Sequence, residues 1–104
     1  MPTKKYSVQL KGKGVLDEYA VRLEGTNVPM DDKGGYVYKN RKPAARLVNN
    51  TLHVQLSCKA LTHTKWSFEV RDIEAEKVVY SADGEIGDSH PGKLISKRDD
   101  IVNI

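Results

Sequence analysis

The side chains best suited to chemistry are one cysteine, Cys58, and three histidines, His53, His63 and His90. A nucleophilic thiolate needs a base within hydrogen-bond reach and surroundings that depress its pKa. His53 and His63 each lie five positions from Cys58. In a continuous strand that odd separation puts His53 on the opposite face, and His63 falls beyond a turn expected at Leu61-Thr62. Cys58 instead continues an apolar set and reads as a small core residue. Nor do Cys58 and the histidines form the closely spaced ligand pairs of structural zinc sites. Carboxylates gather at Asp31-Asp32 and along Asp83-Gly84-Glu85-Ile86-Gly87-Asp88 without EF-hand spacing, so both read as turns. The glycines follow no phosphate-loop or dinucleotide pattern. The expectation is a chain that is not an enzyme, with no metal site and no cofactor.

Binding chemistry has more support. Lys33-Gly34-Gly35-Tyr36-Val37-Tyr38-Lys39 places two tyrosines on one face of a short strand. The run Lys39-Asn40-Arg41-Lys42-Pro43-Ala44-Ala45-Arg46 follows, with four cations and no acid. Rings spaced by two can stack on successive bases while lysine and arginine meet phosphate. The candidate binding residues are therefore Tyr36, Tyr38, Lys39, Arg41, Lys42 and Arg46. The competing expectation is that both rings face inward with their hydroxyls at the rim. Charge is also divided along the chain: residues 1–60 hold 11 basic and 5 acidic residues, and 61–104 hold 6 and 9, so a net +6 is followed by a net −3. Such polarity suits an anionic partner or attraction between copies. Asn49-Asn50-Thr51 matches the glycosylation sequon but reads as a turn.

The elements that must position these residues announce themselves by period two. Leu52, Val54, Leu56, Cys58 and Ala60 alternate with His53, Gln55, Ser57 and Lys59. Tyr6-Val8-Leu10, Tyr19-Val21-Leu23 and Trp66-Phe68-Val70 obey the same rule, as half-buried strands do. Weaker strands are expected at 35–39, 45–48, 77–82 and 93–96. Residues 72–76 are expected to form a loop. Turn chemistry at Lys11-Gly12-Lys13-Gly14, Glu24-Gly25-Thr26-Asn27, Asp31 to Gly35, Asn49-Asn50, Asp83-Gly84 and His90-Pro91-Gly92 punctuates the chain.

No stretch carries a helical stripe, so the 104 residues are expected to form a single all-β domain, with 92–104 an edge strand or a loose tail. Strands apolar on one side need a covering layer. A small antiparallel β-sandwich of about seven strands follows, with a small closed or partly open β-barrel as the alternative. Tyr6, Tyr19, Leu52, Val54, Leu56, Trp66 and Phe68 are expected at its centre. The single cysteine excludes an internal disulfide. No apolar stretch of membrane-spanning length occurs and the N-terminus shows no signal peptide, so a cytoplasmic protein is expected. The function expected is binding of another macromolecule, a protein partner or a second copy first, single-stranded nucleic acid through Tyr36 and Tyr38 second.

Overall fold

Each alternating segment becomes a strand with its apolar set turned inward. The computed structural model describes residues 3–89 and 92–104, so His90 and Pro91 of the expected His90-Pro91-Gly92 turn lie outside the described residues. Ten strands are formed among them: β1 Thr3–Gly12, β2 Glu18–Leu23, β3 Thr26–Asn27, β4 Met30–Asp32, β5 Val37–Asn40, β6 Ala44–Leu47, β7 Thr51–Lys59, β8 Lys65–Asp72, β9 Lys77–Glu85 and β10 Ile95–Asn103. They build two antiparallel sheets. The larger runs β4-β5-β1-β8-β9, with β6 also on β1; the smaller runs β10-β7-β2-β3. The sheets pack face to face without closing, so the fold is a β-sandwich and not a barrel.

One continuous core lies between the layers. Tyr6, Val8 and Leu10 of β1 and Trp66, Phe68 and Val70 of β8 meet Val21 and Leu23 of β2 and Leu52, Val54, Leu56 and Cys58 of β7. Burying each large apolar side chain contributes roughly 1.5–3 kcal/mol. Tyr19 departs from expectation. It is half-buried at the margin, where its ring leans on that of Tyr38 with centroids 4.5 Å apart.

The strand count exceeds the expected seven because β3 and β4 have two and three residues, too few to show a period. The last strand was obscured for another reason. The inward-facing set of β10 is Ser96, Arg98, Asp100 and Val102, and three of those four are polar, so alternation of polarity is lost although alternation of direction persists.

The expected turn at Asp83-Gly84 is a correction: both residues lie inside β9, paired with Ser67 and Trp66 of β8. Gly84 is needed there for space. A Cβ on it would press on the Asp88 carboxylate and lie 2.6 Å from Arg98 Nη2 and 2.7 Å from Trp66 Cζ2.

β1 has β8 along one side and two short strands in succession along the other. β6 pairs with Thr3 to Tyr6 and β5 with Gln9 to Lys11. Asn40 bridges the gap: its Oδ1 accepts from Val8 N (3.1 Å), and its Nδ2 donates to the carbonyls of Tyr6 (3.1 Å) and Lys42 (2.7 Å). The carboxamide thus supplies the donor and acceptor of a missing peptide unit.

The long outer strands β9 and β10 lie on one side of the sandwich and are clasped together. Arg98 from β10 donates to Asp88 Oδ2 (2.7 Å) and to the Asp83 carbonyl (3.3 Å) while covering the Trp66 ring at 4.9 Å. Ser96 Oγ donates to Asp88 Oδ1 (2.5 Å), Glu85 N to Asp88 Oδ2 (3.1 Å), and the Tyr80 hydroxyl to Asp100. Inward-facing charge on β10, a register shift opposite Val70 and Arg71 on β9, and very short strands at the other edges all discourage strand addition.

The clasp makes a prediction about acid. Its Arg98 partner, aided by Ser96 and the Glu85 amide, holds the Asp88 carboxyl well below the usual carboxylate range. A depressed pKa contributes stability that is complete above the unfolded value of about 3.9 and is lost as pH falls below it. Asp88→Asn is therefore expected to cost about 2 kcal/mol at neutral pH. In urea titrations the two proteins should converge below about pH 4; a gap that is constant down to about pH 2 would count against the clasp.

Candidate functional site

The six candidate residues are distributed over four places. Tyr38 is buried, its side chain 5% exposed, because it shares the inward face of β5 with its partner Leu10 on β1. Tyr36 is 44% exposed in the β4–β5 turn. The two rings therefore form no exposed stacking pair, and Tyr38 instead packs on Tyr19. Burial also pushes the Tyr38 hydroxyl pKa up, with the charge of Asp32 adding to it. Tyr36 follows Gly34 and Gly35 in the left-handed region, with φ of 62°, a conformation that costs a non-glycine residue roughly 1–2 kcal/mol.

Arg41, Lys42 and Arg46 do converge. They line a groove of about 320 Å³ together with Thr26, Asn27, Pro29 and Pro43. Two of its three cations are already engaged. Arg41 Nε donates to Asp31 Oδ1 (2.9 Å). Arg46 straps β6 to the smaller sheet, donating to the carbonyls of Leu23 (3.0 Å) and Asn27 (3.3 Å). Lys42 is left to meet an anion.

Lys39 belongs to a different surface, the outer face of the larger sheet. Strand pairing sets its residues in rows: Val37, Lys11, Ser67 and Asp83 cross β5, β1, β8 and β9, and the next row is Lys39, Gln9, Glu69 and Ser81. In these two rows the cations come from β5 and β1 and the carboxylates from β8 and β9, while β8 also turns Lys65 and Arg71 outward and Arg71 pairs with Glu69 (3.6 Å). Between them the short side chains of Ser67 and Ser81 leave a hollow of about 400 Å³ over Gln9, Lys11, Glu69 and Asp83. It continues at one end into a groove of about 750 Å³ bounded by Lys11, Lys13, Lys65, Gly35, Trp66 and Glu85, and at the other into about 260 Å³ beside Ser7, Lys39 and Arg71. The sequence pattern points to Lys65, Glu69 and Arg71 as an outward polar set; the hollow was not visible in it. The missing signal was register, which alone sets Ser67 opposite Asp83 and Ser81 opposite Glu69, with the two serines diagonal across adjacent rows.

Cys58 is buried in the core, and that burial, with the Asp88 charge, pushes its pKa up to about 12. It holds no thiolate at neutral pH. His53 faces outward from the same strand, where Nε2 meets Asp99 Oδ1 at 2.5 Å and, with Gln55, holds the Asp99 carboxyl below its usual range. His63 stands in the β7–β8 loop beside Glu85 (3.0 Å). His90, the fourth of the residues weighed for zinc, lies outside the described residues. No group of three or more His, Cys, Asp or Glu placed to hold a metal occurs among the described residues, and no helix long and apolar enough to cross a membrane occurs among them.

Comparison with known proteins finds no matching family model, no matching curated protein and no matching solved structure.

Proposed function

We propose that this β-sandwich is a non-enzymatic binding module that takes an extended segment of a protein partner across the outer face of its larger sheet. The observation that carries this reading is the trough over β1, β8 and β9: a polar floor of Gln9, Ser67 and Ser81 between a cationic and an anionic wall. An extended chain laid across it meets hydrogen-bonding groups below and opposite charges at its sides, and complementarity of that kind fixes orientation as well as affinity. Recognition by a face also fits edges that discourage strand addition. Single-stranded nucleic acid is the second reading, and the free amine of Lys42 in the basic groove favours it, but only one exposed ring is left to stack.

Selection of random linear peptides on the immobilised protein, with amide shifts mapped by NMR, tests the first reading. The expected shifts cluster at Gln9, Ser67, Glu69 and Ser81. Exchanging Ser67 and Ser81 for arginine is expected to weaken the selected peptides at least tenfold, about 1.4 kcal/mol. Failure to enrich any peptide, or shifts confined to residues 41–46, would overturn it. Low-salt titration with single-stranded oligonucleotides gives the other arm: binding there that is lost with Tyr36→Ala would transfer the reading to nucleic acid.

A further inference from the structure

At the end of the sandwich where β1, β7 and β9 finish and β8 and β10 begin, four loops are held side by side by backbone hydrogen bonds. Lys13 N donates to Lys65 O (2.8 Å), Asp17 N to Lys59 O (2.7 Å), Gly12 N to Tyr36 O (2.9 Å) and Ala60 N to Leu94 O (3.3 Å). Each loop presents one apolar side chain to solvent: Leu61 is 74% exposed, Val15 58%, Leu94 54% and Tyr36 44%. These are four of the eight large apolar side chains that are exposed among the described residues, and all four belong to this one end. These four exposed side chains, the tips of this end, line none of the grooves described above.

Each tip has a lysine close by in sequence. Lys13 precedes Val15 by two positions, Lys33 precedes Tyr36 by three, Lys93 adjoins Leu94, and Lys65 follows Leu61 by four. All four lysines are exposed. The acids of this end are mostly engaged: Glu18 with Lys59 (3.3 Å), Glu85 with His63 (3.0 Å), Asp88 with Arg98 (2.7 Å), and Asp32 as acceptor for Gly34 N (2.8 Å). Asp17 and Asp83 are the remaining carboxylates among the described residues.

We infer that this end of the sandwich docks on an anionic phospholipid surface, with Val15, Tyr36, Leu61 and Leu94 entering the headgroup region and the neighbouring lysines meeting the lipid anions. A bilayer interface accepts apolar side chains from separate loops when lysines stand near them. Tyrosine is suited to the polar–apolar boundary, and clustered lysine adds attraction to acidic lipid. The four apolar side chains lie apart from the trough over Ser67 and Ser81; Lys13 and Lys65 also bound one end of that trough, but Lys33 and Lys93 do not, so variants of those two separate the readings.

Flotation of the full chain with phosphatidylcholine vesicles, with and without phosphatidylserine, tests the inference. Binding is expected with phosphatidylserine at low salt and is expected to fall as salt rises. Lys33→Gln with Lys93→Gln should weaken it about fivefold per lysine. Leu61→Ser with Leu94→Ser should remove the part that survives added salt. Near-UV circular dichroism of Trp66 confirms that these surface variants are folded. Failure to float with phosphatidylserine at low salt would overturn the inference. So would unchanged flotation of both double variants, or loss on Lys42→Gln instead. Selected peptides that shift Leu61 and Leu94 amides without flotation would assign the surface to a protein partner and also overturn it.

Discussion

Trp66→Ala is expected to lower the unfolding free energy by about 3–5 kcal/mol, the largest effect of any single truncation in this protein. The indole is 3% exposed. On one side it meets the core, and on the other it is covered by Arg98, whose guanidinium carbon lies 4.9 Å from the ring centre. Removing the ring leaves a cavity and withdraws the floor beneath Arg98, so the β9–β10 clasp loosens with it. The nature of the contact can be tested separately. Trp66 Nε1 is buried without a hydrogen-bond partner among the described residues, so Trp66→Phe sacrifices apolar area but no hydrogen bond and should cost less than half as much. Urea unfolding followed by far-UV circular dichroism measures both. An alanine variant within about 1 kcal/mol of the parent would show that the ring is not a core residue.

Gly84→Ala is expected to be the second most damaging change, at about 1–3 kcal/mol, although it adds only a methyl group. The added carbon meets three groups that cannot all move away. The Asp88 and Arg98 side chains are bound to each other, and the Trp66 ring is fixed in the core. The same melts should reveal coupling. In an Arg98→Ala background one obstruction is gone and Asp88 is held only by Ser96 and the Glu85 amide, so Gly84→Ala should cost at least 0.5 kcal/mol less there. Equal costs in both backgrounds would mean that the crowding is relieved by backbone movement instead.

The arrangement of these groups was only partly legible in the chain. Strands β1, β2, β7 and β8 could be read because their inward residues are apolar at every second position, from Tyr6 to Leu10 and from Leu52 to Cys58. Gly84 misled for a physical reason: Asp-Gly is favoured in turns because glycine tolerates positive φ, whereas here glycine is present for lack of a side chain. Arg98 and Asp100 hid β10 by placing charge on its inward face. The paired tyrosines were a fair reading of local sequence, since parity puts Tyr36 and Tyr38 on one side of a strand. The strand begins at Val37, however, two residues later than that reading assumed. Tyr36 adopts a left-handed backbone, and only Tyr38 joins the ladder. The trough needed alignment between strands that are distant in sequence, which period within a strand does not encode.

Asn40 carries a consequence for how this protein can change. Because one carboxamide closes the seam between two short neighbours of β1, the pairing of β5 is anchored independently of the pairing of β6. Residues added between Lys42, whose carbonyl Asn40 holds, and Ala44 therefore leave the Asn40 bonds to β1 in place, and the seam becomes the place where new sequence enters the larger sheet while each half keeps its own alignment.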